Sequence, residues 1–299
     1  MAFYLTFRTL ASQTTSDEFL QKWQIKKNVG LDTANKTISA LFGASSAIIG
    51  AYVLASYGGS YYTDVVITYF MPVAIGYFIY DFFAMIEVYK LRLDETDQNA
   101  NETDKTIRGF ISNQPLISIH HLALSLFFIP LMVNRRDHYP GDPMLACALL
   151  MEASTPFVSL RAILYNLHLR HSVIYVLNGI VMVFVFFWCR IGIYPWFYHV
   201  HSLATQVTFI EAVMKTPPRC ATWLILALLL QLHWFRIMFL GALKVVREKF
   251  RQTPATDSTI LQSNVAAASN KTNIKTPNNN HAISTEFVAK DIMKNHKSD

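Results

Sequence analysis

The sequence predicts an all-α, polytopic membrane protein, a bundle of six transmembrane helices around a central cavity, and three observations lead there. Hydrophobic residues make up 52% of the 299-residue chain and charged residues only 15%, against about 25% charged in an ordinary soluble domain. The apolar residues gather into runs of roughly 18 or more, long enough for a helix to cross ~30 Å of hydrocarbon. In lipid every backbone polar group needs an internal partner, so such runs are helices; barrel strands would be about ten residues long with alternating polarity.

Taken in order, residues 1–36 are mixed and basic, with Lys22, Lys26, Lys27 and Lys36. Their apolar stretch at 3–10 is interrupted by Arg8, too short for a span and unlike a cleavable signal peptide. The first span is 37–57, rich in Ala, Ser and Gly, residues that let helices approach closely in a membrane. Gly58 and Gly59 then make a tight turn. The second span, 65–89, holds Pro72, Tyr80, Asp81 and Glu87, and a polar loop follows at 91–114. The third span, 115–133, carries His120 and His121 and ends in a turn at 134–142. The fourth, 143–164, contains Glu152, Pro156 and Arg161. Residues 173–214 are apolar but interrupted by Arg190, Gly192 and Pro195, so they form one bent span or two. The last span is 221–245. The organisation expected is therefore a cytosolic N-terminal segment at 1–36, a transmembrane domain at 37–250 and a disordered, Asn/Ser/Thr/Lys-rich cytosolic tail at 251–299.

Charge bias chooses the span count. If 173–214 crosses once, fourteen Lys and Arg residues flank spans on one side, including Lys26, Lys27, Arg92, Arg108, Arg170 and Arg247. Only Arg135, Arg136, Lys215 and Arg219 flank them on the other. That is a positive-inside pattern with both termini cytosolic, whereas seven spans would strand the basic C-terminal flank. Six spans are preferred, and the sequons at Asn35, Asn101 and Asn270 should stay unmodified. Cys147, Cys189 and Cys220 lie in or beside apolar runs at no metal spacing and read as packing thiols. The net charge of +6 reflects flanks near anionic lipid, with no sign of nucleic-acid binding.

A mere anchor needs no ionisable residues in its spans. Here the runs contain Asp81, His120, His121, Glu152, Arg161, Arg190, Glu211, His233 and Arg236. Each costs about 2.5–3.5 kcal/mol near mid-membrane unless paired or hydrated, so all should face a common interior. By helical rise, His120, Asp81 and Glu152 lie ~8, ~12 and ~18 Å from one surface, depths that suit a cavity open to the cytosol. His120 and His121 are about 100° apart on a helix, so one faces the cavity while the other packs on a neighbour. A histidine can serve as general base or accept an acyl group, and a carboxylate beside it fixes its tautomer. The candidate catalytic residues are His120, His121, Asp81 and Glu152, with no metal and no cofactor motif. A cytosolic opening suits acyl-CoA as substrate. Arg190 and Arg236 suit snorkelling or helix pairing, and Arg161 meets Glu152 only if Pro156 bends the helix.

The blocks Gly76-Tyr77-Phe78-Ile79-Tyr80-Asp81, His120-His121, Glu152-Ala153-Ser154-Thr155-Pro156-Phe157 with Arg161, Asn178-Gly179, and Phe186-Phe187 with Arg190 resemble the TLC-domain family over about 30–250. That family groups translocation-associated membrane proteins, Lag1-type ceramide synthases and a neuronal ceroid lipofuscinosis protein. The Glu-x-Ser-Thr-Pro-Phe block resembles the smaller TLC-domain-containing branch related to the synthases. The resemblance implies a role in lipid homeostasis in the endoplasmic reticulum, Golgi or plasma membrane. The implied partners are membrane lipids, a fatty acyl chain or a sphingolipid, with Arg161, Tyr77 and Arg190 as substrate-binding residues. His120 and His121 match the paired histidines that the synthases need to acylate a sphingoid base from acyl-CoA. The synthases' downstream His-Asp and further Asp are absent, with Glu152 in that stretch. The runner-up reading is therefore a ceramide synthase-like N-acyltransferase, and a third is a secretory-pathway cargo or partner receptor.

Overall fold

A computed structural model describes the backbone of residues 2–56, 61–96, 104–133 and 142–252, with the side chains of 61–68, 127–133 and a few other positions left aside. Gly58-Gly59, most of the 134–142 turn and nearly all of the expected tail lie outside these residues. Every regular element among them is helical. In chain order they are α1 (Ala2–Thr14), α2 (Asp17–Trp23), α3 (Lys27–Ala55), α4 (Tyr61–Thr96), α5 (Ile107–Asn113) and α6 (Pro115–Val133). Then come α7 (Asp142–Leu150), α8 (Thr155–Asn166), α9 (Val173–Phe186), α10 (Ile193–Thr205), α11 (Phe209–Met214) and α12 (Pro218–Gln252). A 3-10 turn, Met151–Ser154, joins α7 to α8, and a π-turn, Phe187–Gly192, joins α9 to α10.

Five stretches are long and apolar enough to cross a membrane: Lys27–Ala55, Tyr69–Glu95, Leu145–Asn166, Val173–Leu203 and Ala221–Val245. The third expected span is the 19-residue helix α6. The fold is thus a polytopic helical bundle. The ambiguous 173–214 region is one apolar helical run as far as Leu203, because the π-turn widens the helix without reversing it. Glu211 lies beyond that run, in the exposed helix α11, where it closes a capping box with Thr208. The Thr208 backbone and side-chain hydrogen bonds hold its carboxyl below the usual range, so its place among the buried charges is corrected. His233 and Arg236 are also exposed, on the outward side of α12. There the Arg stem can carry its charge along the helix rather than into the interior.

The first span starts at Lys27, ten residues before the expected Thr37, and is tied down at that end by other helices. Lys26 offers no side-chain cap, so the Asn28 N–H donates to Glu95 of α4 at 3.1 Å, meeting a donor that a helix start leaves open. The Asn166 amide at the end of α8 donates to Asp32 and Thr33. The ends of α3, α4 and α8 that the charge bias assigned to one side therefore meet in space.

Helix α3 packs against α1, α4, α7 and α8. Of its buried positions, Asn28, Leu31, Asn35, Ser39, Gly43, Ser46, Gly50 and Val53 recur every three or four residues as one stripe along the helix, which Gly30, Thr33, Ala34, Ile38 and Phe42 widen. Gly43 and Gly50 face the α7–α8 run so closely that a Cβ would lie 2.7 Å from Thr155 Cβ and 2.6 Å from the Ala146 carbonyl oxygen respectively. The N-terminal residues are more than a flank. Phe7 is buried, and Phe3 meets Phe42, Tyr77 and Tyr80, so α1 lies along α3 and α4.

This packing makes a test. Gly50→Ala must push the α7 backbone away, at a cost of about 1–3 kcal/mol, and should lower the melting temperature of the full chain in detergent. Gly76→Ala, whose added methyl would meet nothing within 4 Å beyond its own stretch of helix among the described residues, should leave it unchanged or slightly raised. Equal melting temperatures for the two variants would contradict the close α3–α7 contact.

Candidate functional site

The polar residues of α3, α4 and α6 form one chain of contacts. The Tyr80 hydroxyl donates to Asn35 Oδ1 at 2.8 Å, and Asn35 Nδ2 donates to Asp81 Oδ1 at 2.9 Å. The Ser39 hydroxyl, which donates to the Asn35 carbonyl at 3.0 Å, also lies 3.4 Å from the same carboxylate oxygen. The other carboxylate oxygen, Oδ2, faces His121 Nε2 at 3.4 Å, with both side chains 8% exposed. Adjacent positions on α4 supply Tyr80 and Asp81, and positions four apart on α3 supply Asn35 and Ser39. Two helical faces thus converge on one carboxylate. Asn35 has no exposed surface. In the sequence Asn35 stands out only as a sequon, although its place in the small-and-polar stripe of α3 could have marked it as buried.

The two histidines part company. His121 turns to Asp81. His120 turns to α12, where it meets the Trp234 ring edge-on at 4.9 Å, and it takes part in none of the described hydrogen bonds. Tyr77 is buried within the aromatic cluster, its ring stacked on Phe42 at 3.7 Å.

Glu152 belongs to a second cluster. Pro156 has no N–H for the Glu152 carbonyl four residues back, and its ring crowds that oxygen. The helix tightens into a 3-10 turn there. Pro195 stands in the same relation to Ile191, at the end of the π-turn. The two irregular turns pack together, and Arg190 reaches from one to the other. Its Nη2 donates to both Glu152 oxygens at 3.3 Å and to Thr155 at 3.1 Å, while Nε donates to Ser154 at 3.1 Å. The Thr155 hydroxyl closes the cluster by donating to Glu152. Sequence reading found both residues but not the pairing. The signal was a proline just downstream of a charge on each span.

Arg161 stands apart from both. Its guanidinium lies 4.2 Å over the Tyr175 ring, in a gap that Gly179 leaves open: a Cβ there would collide with it. Asn178 donates to the Phe157 carbonyl at 2.9 Å. Arg161 and the Asn178-Gly179 block therefore join α8 to α9. Cys147 and Cys189 are free thiols.

The ion pair predicts a mutational cycle. Glu152→Gln or Arg190→Met alone leaves a buried charge without its partner, a loss of about 3–5 kcal/mol. Each single variant should melt well below the parent, and the double variant should recover much of the loss. Single variants that melt with the parent would show that the pair is not buried as described.

A sequence-family profile described as the TLC domain matches residues 32–240. No solved structure matches the chain. The profile takes in α3 from its sixth residue on and both polar clusters, and stops five residues short of the end of the last span. The chain belongs to the TLC-domain family.

Proposed function

We propose that this protein binds a membrane lipid or acyl chain within its helix bundle and acts in membrane lipid homeostasis, with the endoplasmic reticulum as its expected site. The observation that carries the reading is the buried run from Tyr80 through Asn35 and Asp81 to His121. Ionisable groups at such depth are costly and mark functional interiors by default. The Phe3, Phe42, Tyr77 and Phe78 rings beside them offer an apolar wall for a chain. Native mass spectrometry of the full protein, released from gentle detergent, should show a lipid of discrete mass; a chain that always flies empty would overturn the reading.

A second reading, acyl-CoA-dependent N-acylation of a sphingoid base, is favoured by the Asp81–His121 geometry. In that reaction His121 takes a proton from the attacking amine while Asp81 holds the imidazole and offsets its charge. The amine nitrogen forms the amide bond to the acyl carbon, the carbon–sulfur bond breaks, and the coenzyme A thiolate leaves with the proton. Glu152, held by Arg190, is then a support rather than the base. Purified protein given labelled acyl-CoA and a sphingoid base should make amide, and His121→Ala should lower the rate by about 10²–10⁴-fold, the usual worth of a general base. Turnover that survives His120→Ala and His121→Ala together would reject the mechanism. Failure of all turnover leaves lipid binding as the function.

A further inference from the structure

Gln231 lies in the middle of the last span, and only 2% of it is exposed. Among the described residues its side-chain Oε1 has no hydrogen-bond partner, and its amide nitrogen takes part in none of the described hydrogen bonds. No water is at hand within hydrocarbon to repair such a group. Residues three and four positions on share its helical face, and they show where that face points. Trp234 meets His120 of α6, and Phe235 lies against Phe186 and Phe187 at the start of the π-turn. Arg190 sits beside Phe186, 5.7 Å from its ring centre. His120, as noted, makes no described hydrogen bond. Arg190 spends Nε and Nη2 on Ser154, Thr155 and Glu152, while its Nη1 takes part in none of those described.

The charge balance selects the ligand. Glu152 already offsets Arg190, so a phosphate finds no spare positive charge and an ammonium no spare carboxylate. What remains is an amide with donors and an acceptor, an imidazole and a guanidinium N–H. These match an uncharged head group that carries both hydroxyl and carbonyl. Access is lateral: the α12 span is only 6% buried, against 28–44% for the other four, so its flanks meet the bilayer directly.

We propose that Gln231, His120 and the uncommitted edge of Arg190 form a subsite for the uncharged, hydroxyl- and carbonyl-bearing head of a lipid that enters from the bilayer beside α12. The subsite rests on the lipid-binding reading but uses neither Asp81 nor His121. The test places the full-length protein in nanodiscs with photoactivatable diacylglycerol, an N-acyl amino alcohol or phosphatidic acid, each with its photogroup on the chain, and maps the cross-links. One of the two neutral probes should label α6 or α12, and which one names the source of the head group. Gln231→Leu should cut that labelling about tenfold, the worth of one lost hydrogen bond to a dry site, without lowering the melting temperature. A neutral probe with its hydroxyls methylated should lose labelling of the unmutated protein to a similar degree, a comparison that needs no variant to fold. Equal labelling by phosphatidic acid, or labelling indifferent to both Gln231→Leu and methylation, would overturn the subsite while lipid binding stands. No labelling by any probe would remove both.

Discussion

The constraint on which the rest depends is that a charge inside a bilayer must be answered by protein. Water cannot supply the missing partner, and the penalty for leaving one out runs to several kcal/mol. Asp81 is answered by Asn35, Ser39 and His121, and Glu152 by Arg190 and Thr155. Each answer comes wholly or in part from a different helix. The demand for partners therefore fixes how α3 sets against α4, how α4 sets against α6, and how the two irregular turns meet. Apolar packing alone would not select those arrangements, because lipid tails compete with Leu and Ile for the same surfaces.

Helix α3 makes the arrangement possible. Its small residues bring two neighbours within touching distance: Gly43 and Gly50 admit the α7–α8 run, while Asn35 and Ser39 reach α4. One stripe on one helix thus carries both the close approach and the hydrogen bonds. The irregular turns follow a related logic. A regular helix keeps its carbonyls to itself. The proline after Glu152, and the one after Arg190, each release a carbonyl and break the regular winding. The 3-10 turn and the π-turn that result let Glu152 and Arg190 face each other across the interface. Such turns often mark functional positions.

Much of this was legible in the sequence and some was not, for identifiable reasons. The spans could be read because hydrocarbon thickness dictates their length. Charge bias, a long-range property, favoured one crossing over 173–214, and the helical run is continuous from Val173 to Leu203 although Arg190, Gly192 and Pro195 interrupt it locally. Asp81, His121, Glu152 and Arg190 stood out as charges in apolar runs. Their partners did not, because pairing depends on helix rotation, which one sequence hardly constrains. Asn35 looked like part of a sequon, and only the period of the α3 stripe hinted that it faced inward. Glu211, His233 and Arg236 failed to join the interior because apolar neighbours in sequence do not reveal where a span stops or which face turns outward. The packing of α1 was hidden for the opposite reason. Its 13 residues are too few to span a bilayer, so nothing in a length criterion reports that Phe3 and Phe7 dock.

The adjacency of His120 and His121 then acquires a meaning that sequence alone could not give. Two neighbours on a helix point about 100° apart, so they cannot serve one atom. Here the turn of the helix gives one imidazole to the α3–α4 carboxylate system and the other to α12. His121 is buried and lies against the Asp81 carboxylate. His120 faces α12, where the buried Gln231 carbonyl oxygen has no partner among the described residues. A bundle with two polar systems side by side, each kept from lipid, needs two such faces set at an angle. A histidine pair on one turn of α6 is the shortest way to build them.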